Sequence, residues 1–208
     1  MVEDHLVSDE RSRMAANLLL LAPPCEFHEV YNGSAVAQYT RDQMLQIQLP
    51  DCEYPTLITP ISDLGSGRYF CPRTKQSFTL DHFKLAANDV KPTPDEGLYS
   101  SFSDIEPWRR SLESNLTDYC TEHFKNGAVS VYSTQTADGR FIIACIESHF
   151  SKNQSTGRWR SEWRVSMTDK PLGTTLEVHG IIKVQVSIFI SFASISLQLS
   201  VASYFHCF

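Results

Sequence analysis

Cys145, Glu147 and His149 follow one another at two-residue steps in Phe141-Ile142-Ile143-Ala144-Cys145-Ile146-Glu147-Ser148-His149. Strand alternation puts that thiol, carboxylate and imidazole on one face, the residue types of a nucleophile with its acid and base. A working set draws its members and its oxyanion donors from several elements, and no second element supplies them here. The trio reads as a half-polar sheet face, and the chain as not an enzyme. Asp81-His82 and Glu122-His123 read as surface or cap residues. Gly65-Ser66-Gly67-Arg68 lacks both the G-x-x-x-x-G-K-[ST] spacing and the following helix of a phosphate loop. No EF-hand loop is present, and the six cysteines, at 25, 52, 71, 120, 145 and 207, show no C-x-x-C and no spacing with histidines that suits zinc. The expectation is separate reduced thiols, with no metal and no cofactor.

The formal charge of −6 argues against a nucleic-acid partner, whose phosphates need clustered cations. The densest basic cluster, Arg158, Arg160 and Arg164, is interrupted by Glu162 and reads as a charged strand face. Near the N-terminus the apolar run 18–22 is shorter than a signal-peptide core and lacks a basic n-region immediately before it at the terminus, so a cytoplasmic location is expected. The sequons at Asn32, Asn115 and Asn153 would then stay unmodified.

The elements that must position these residues divide the chain into five stretches. Residues 9–43 form an N-terminal helical region: 9–21 with Met14, Leu18 and Leu21 at helical spacing, then short helical pieces at 26–31 and 34–39. Residues 44–88 form a small antiparallel strand module, in which Leu45, Ile47 and Leu49 alternate with Gln46 and Gln48. Residues 89–106, with Pro92 and Pro94, read as a linker. Residues 107–186 hold a helix and a central antiparallel sheet. Pro107 suits the first turn, Trp108, Leu112, Leu116, Tyr119, Cys120 and Phe124 form an apolar stripe, and Asn126-Gly127 offers a left-handed stop. Strands follow at 128–133, 141–150, 158–168 and 176–186, with turns at 137–139 and 169–173. Connections this short force antiparallel pairing, so the fold class is α+β, an amphipathic helix packed on an antiparallel meander with open edges.

In Gly157-Arg158-Trp159-Arg160-Ser161-Glu162-Trp163, alternation sends Trp159 and Trp163 to one face and the charges to the other. The expected structural core is therefore Trp108, Leu112 and Leu116 on the helix over Trp159 and Trp163, with Arg160 on a wet face. The apolar tail, 187–208, has no formal charge and approaches the length of a membrane span. Its alternation and serines point instead to an extension of the last strand, or to an unprotected, uncharged segment that misfolds and aggregates.

The tryptophan segment, the strand at 141–149 and Ala22-Pro23-Pro24-Cys25-Glu26-Phe27-His28-Glu29-Val30 together resemble, in the same order, the alpha subunit of the heterodimeric F-actin capping protein. That resemblance implies an N-terminal helical bundle, a capping protein beta subunit as partner, and calcium-independent binding at filament barbed ends. It also implies a long helix across the sheet and a basic C-terminal arm on actin. Between Tyr31-Asn32 and Gly33 a stretch that the family carries is absent, so an incomplete bundle is expected. From Val186 onward the sequence departs from the family, and the arm motif is missing, as a truncated or alternatively spliced end would lack it. No actin-binding residue can therefore be carried over, and the alternatives are a dimerisation module that does not cap, or a tail-anchored membrane protein.

Overall fold

Short connections and period-two alternation through the second half of the chain give five long strands that pair in sequence order. The computed structural model describes residues 34–50, 52–82, 84–93, 105–136, 139–152, 155–170, 173–190 and 193–207. The helices expected at 9–21 and 26–31 lie outside these residues, as do positions 137–138 and 171–172 of the expected turns. Helix α1 (Ser34–Asp42) leads to a two-stranded piece, β1 (Gln46–Ile47) and β2 (Thr56–Leu57). A four-stranded antiparallel sheet follows, made of β3 (Asp63–Gly65), β4 (Arg68–Cys71), β5 (Gln76–Asp81) and β6 (Ala86–Pro92). Residues 89–92, expected in a linker, are thus the end of β6, paired with β5 through Gln76↔Pro92 and Ser77↔Lys91. Ile47, Leu49, Ile58, Tyr69, Cys71, Phe78 and Leu80 form the core of this first half.

Helix α2 (Glu106–His123) starts with Glu106 and Pro107 in its first turn, where an acid suits the positive helix end and proline loses nothing by lacking an N–H. Its stop is not left-handed. Phe124 turns extended at φ −125°, ψ 104°, its N–H bonding back to Cys120 O, and its ring leaves the helix to stack on Trp159 with centroids 5.5 Å apart. Strand β7 (Gly127–Thr136) begins three residues later, followed by β8 (Gly139–Lys152), β9 (Ser155–Lys170), β10 (Gly173–Ile190) and β11 (Ala193–Cys207). The sheet order is β11-β10-β9-β8-β7, antiparallel throughout. Residues 187–190 extend the last expected strand, and 193–207 add a fifth that runs back along it, from Ile190↔Ala193 to Leu176↔Cys207. Among the described residues no helix is long and apolar enough to cross a membrane.

Both faces of the β7–β8 half are covered. On one, α2 lies over Val129, Val131, Ile142, Ala144 and Ile146, with Leu112, Leu116, Phe124, Trp159, Trp163 and Val165 packed around them. On the other, Met44 and Leu57 bury Ala128, Tyr132, Phe141, Ile143 and Cys145.

Candidate functional site

The trio on β8 shares one face, as alternation requires, but that face is the floor beneath the β1–β2 segment. Burial, with the Glu162 charge adding to it, pushes the Cys145 thiol far above its ordinary range, and a thiol held protonated is a poor nucleophile. Glu147 is fully buried, and its carboxylate accepts from Gln46 Nε2 and forms ion pairs with Arg158, whose Nε lies 3.0 Å away, and with His149 Nδ1 at 3.4 Å. The group is a structural ion cluster. Gly65, Ser66 and Gly67, all at positive φ, make the tight turn between β3 and β4. Asp81 accepts from the Lys84 N–H, and His82 sits between Tyr69 Oη at 3.3 Å and Thr40 Oγ1 at 3.1 Å. Glu122 and His123 are exposed and 3.8 Å apart. Among the described residues no three His, Cys, Asp or Glu side chains are grouped to hold a metal ion, and cysteines 52, 71, 120 and 145 are free thiols.

The face that α2 buries is polar. Arg109, Glu113, Thr117 and Cys120 are its buried residues, spaced by four, four and three. At about 100° per residue the apolar stripe lies off that direction, Leu116 by about 55°, Leu112 by about 95°, Tyr119 by about 115° and Trp108 by about 135°. Exposure follows that offset: Leu116 and Leu112 are half-buried against the sheet, whereas Tyr119 is exposed and Trp108, 61% exposed, stands outside the core expected for it. Arginine belongs there because α2 runs beside β7, the edge of the sheet, whose carbonyls need donors. Arg109 donates through Nη1 to Val131 O and Glu113 Oε2, both at 2.9 Å, and through Nε and Nη2 to the Glu106 carboxylate at 2.7 and 3.0 Å. Arg73 reaches the same edge, donating to Thr117 Oγ1 at 2.9 Å and to Val129 O at 3.4 Å. Burial would raise the Glu106 pKa, yet hydrogen bonds from Arg109 and Arg110 hold it below its ordinary value.

Trp159 and Trp163 lie half-buried on the α2 face. Trp163 donates through Nε1 to Ser161 Oγ at 2.9 Å, and its ring lies across Gly180, where any Cβ would collide with it. Gly180 is thus required by a close approach rather than by a turn. Arg160, expected on a wet face, is 2% exposed: Nη1 donates to Asp42 O at 3.0 Å and Gln43 Oε1 at 2.7 Å, so it closes the C-terminal end of α1. The opposite face failed to stay wet because α1 and β1 pack on it. Spacing could have disclosed the α2 cluster, since Glu106, Arg109, Arg110 and Glu113 form a ladder of i,i+3 and i,i+4 pairs. No local signal marks Arg160, whose partners lie more than a hundred positions away.

The surface left available is apolar and one-sided. Beyond α2, the same face of β10 carries half-buried Val178, Ile182, Val184 and Val186, and β11 presents Leu199 at 62% and Val201 at 45% exposure. β11 has β10 on one flank and no described strand on the other. An open strand edge and an apolar face bind by backbone pairing and burial, which is what this geometry can do.

The family described as F-actin capping protein alpha subunit matches residues 15–191. An F-actin-capping protein subunit alpha of Caenorhabditis elegans is 36% identical over 199 residues, spanning 86% of this chain and 67% of that protein. One of Dictyostelium discoideum is 31% identical over 200 residues, spanning 88% and 68%. The solved structure of a homodimeric actin capping protein alpha subunit from Plasmodium berghei has the same fold, with a TM-score of 0.61 at 20% identity, over 96% of this chain and 71% of that one.

Proposed function

The chain belongs to the F-actin capping protein alpha subunit family, and from that membership we propose that it is the alpha subunit of a heterodimer with a capping protein beta subunit. The pair binds F-actin barbed ends independently of calcium, blocks subunit exchange there and does not sever filaments. Its place is the cytoplasm, at the actin cytoskeleton. The observation that carries this reading is the extent of the family match, 15–191, which takes in α1, both larger sheets as far as β10, and α2 between them. The family is a non-catalytic one, and the ion clusters on α2 and β8 are built into packing rather than open to a substrate. The apolar face of β10–β11 is in keeping with the long helix that the resemblance implies across the sheet.

A second reading is a dimerisation module that does not cap. It is favoured by one observation: residues 187–208 carry no Lys, Arg, Asp or Glu, so this stretch offers no cation to an acidic actin surface. Losing one of two tethered contacts weakens binding through avidity, and a cationic arm also speeds encounter with an acidic surface. The test is seeded actin elongation with the 208-residue chain reconstituted with a beta subunit, beside a relative that carries the arm. Inhibition is expected, at a concentration at least about tenfold higher than for the relative. An assembled pair that leaves elongation untouched moves the assignment to the second reading. If no complex with a beta subunit forms at all, the heterodimer proposal fails.

A further inference from the structure

Helix α1 is tied to the four-stranded sheet by one continuous hydrogen-bonded chain. Among its described side chains only Val36 and Thr40 are buried, so apolar contact alone holds it weakly. Thr40 Oγ1 donates its single hydrogen to Val36 O at 2.8 Å, and toward His82 Nδ1, 3.1 Å away, it can only accept. That places the hydrogen of the neutral imidazole on Nδ1 and leaves Nε2 as an acceptor, 3.3 Å from the Tyr69 hydroxyl. Burial keeps this hydroxyl protonated, above its ordinary range, with Arg41 opposing. Tyr69 therefore donates to Nε2, and Arg41 Nη1 donates in turn to Tyr69 Oη at 3.3 Å and to Asp63 Oδ2 at 2.6 Å. The chain begins and ends on α1, at Arg41 and Val36, and passes through β4 and the residue after β5 on the way.

We propose that His82 is a proton-operated latch: neutral, it fastens α1 to the four-stranded sheet, and on protonation it releases the helix from that sheet. The imidazole is the member of the chain whose ordinary pKa, about 6.5, falls in the physiological range. A second proton can go only to Nε2, which turns the acceptor of the Tyr69 hydrogen into a donor aimed at the same oxygen. The bond must then reverse or break, beside a hydroxyl that already takes a hydrogen from Arg41. The groups that face the ring come from four elements. Arg41 on α1 opposes the new charge, Asp63 on β3 and Asp81 on β5 favour it, and Tyr69 on β4 is neutral. Both carboxylates are already engaged, Asp63 by Arg41 and Asp81 by the Lys84 N–H at 3.0 Å. Burial and Arg41 prevail and hold the pKa of His82 below its ordinary value, so the closed latch prefers the neutral ring. Release is confined to one side, because Arg160 on β9 holds the C-terminal end of α1 through Asp42 O and Gln43 Oε1, bonds in which His82 takes no part. The latch joins α1 to the four-stranded sheet whatever the chain binds, so it is independent of the capping reading.

The experiment is hydrogen exchange of the full chain from about pH 8 to about pH 5, at one concentration and in one assembly state, with each rate divided by the intrinsic rate at that pH. Protection of the amides of 38–43 is expected to hold down to about pH 6.5. It then falls by up to about tenfold per pH unit, the slope of one proton, and levels off below the folded pKa of His82. Amides of 142–146 on β8 keep their protection over the same range. His82→Gln retains an acceptor for Tyr69 and a donor for Thr40 without a titrating proton, and its α1 amides are expected to stay protected throughout. Tyr69→Phe removes the hydrogen that neutral Nε2 accepts, so α1 should already be less protected at about pH 8 and should depend less on pH. The imidazole nitrogen shifts at that pH should report the Nδ1–H tautomer. Protection of α1 that ignores pH in the parent, an equal loss in His82→Gln, loss from α1 and β8 together, a Tyr69→Phe profile identical to the parent's, or an Nε2–H tautomer would each overturn the proposal.

Discussion

Replacing Arg109 by leucine should be among the most damaging single changes in the chain, although a hydrophobicity pattern makes it look like an improvement. The guanidinium is 2% exposed and makes four hydrogen bonds, two to Glu106, one to Glu113 and one to Val131 O. Charge-assisted bonds are worth ~1.5–3 kcal/mol apiece, but they are not additive. The governing cost is that of leaving the other charge behind, about 3–5 kcal/mol when one member of a buried ion pair is removed. Against a net stability of roughly 5–15 kcal/mol for a domain, that is a third or more of the total. The Glu113→Leu change should cost less, since Arg109 keeps both bonds to Glu106, but it removes one of the two carboxylates that pair with Arg109 and the one that also faces Arg73 Nε at 3.5 Å. The double variant should cost less than the sum of the two, since the Arg109–Glu113 bond is lost once rather than twice, the remainder being the Val131 carbonyl left without its donor and Glu106 held by Arg110 alone. Urea unfolding of all four proteins at one fixed protein concentration, in the same assembly state, supplies the cycle. If the two single costs simply add in the double variant, or if Arg109→Leu costs less than ~1 kcal/mol, the cluster is not the coupled buried unit described here.

Arg160→Ala, which a wet-face assignment would make harmless, is expected to lower stability by roughly 2–4 kcal/mol, because the arginine closes the end of α1; urea unfolding reads it, and a change below about 0.5 kcal/mol would restore the wet face. Trp108→Ala, at an exposed position, should stay within about 0.5 kcal/mol, whereas Trp163→Ala, half-buried, should cost ~2 kcal/mol, and equal thermal midpoints for the two variants would contradict the faces assigned to them. Gly180→Val should lose soluble protein by displacing the Trp163 ring, and a rescue by Trp163→Ala in the same chain is expected if the collision is the cause. Burial, together with the Arg41 charge, lowers the pKa of His82, with Asp63 and Asp81 opposing. Its neutral form therefore favours the folded state: that stability is complete above the unfolded value of about 6.5 and is lost as pH falls through the folded one, so His82→Gln should flatten the loss of thermal midpoint on acidification below about pH 6.5.

What could be read from the sequence was whatever repeats locally. Alternation and two- to five-residue connections are enough to place strands at 141–150, 158–168 and 176–186 and to pair them antiparallel, because parallel pairing would need a crossover. The faces of Trp159 and Trp163 follow from the same period. The buried side of α2 does not, since a helix over the middle of a sheet seeks apolar partners but one over an edge must also supply donors. Arg109 therefore displaced Trp108 from the core. The tail was legible as strand from the alternation over 184–193, yet only as an extension of the last strand and not as a separate fifth one, because a strand that turns back on its neighbour leaves the same period as one that runs on. The burial of Arg160 and Glu147 was out of reach for the same reason, with Asp42, Gln43 and Gln46 brought to them only by the path of the first half of the chain.

Those two buried charges resolve an ambiguity that the apolar residues leave open. β8 is apolar on both faces, with Ile142, Ala144 and Ile146 under α2 and Phe141, Ile143 and Cys145 under β1–β2. A strand of this kind specifies its register weakly, since a slip by one residue still buries hydrophobic side chains on either side. In the observed pairing Glu147 stands opposite Arg160, with Arg158 one diagonal step away and ion-paired to it. Shifting β9 by one position along β8 while keeping β8 in place would bring Arg158 and Arg160 to the α2 face, among Val129, Ile142 and Ile146, and set Trp159 or Ser161 against Glu147. Glu147 would then lie buried without a cation and Arg160 without the end of α1, each at a cost of several kcal/mol. Since β10 takes its register from β9 and β11 from β10, the pairing of the whole second half of the sheet is set by the carboxylate on β8 and the arginines opposite it.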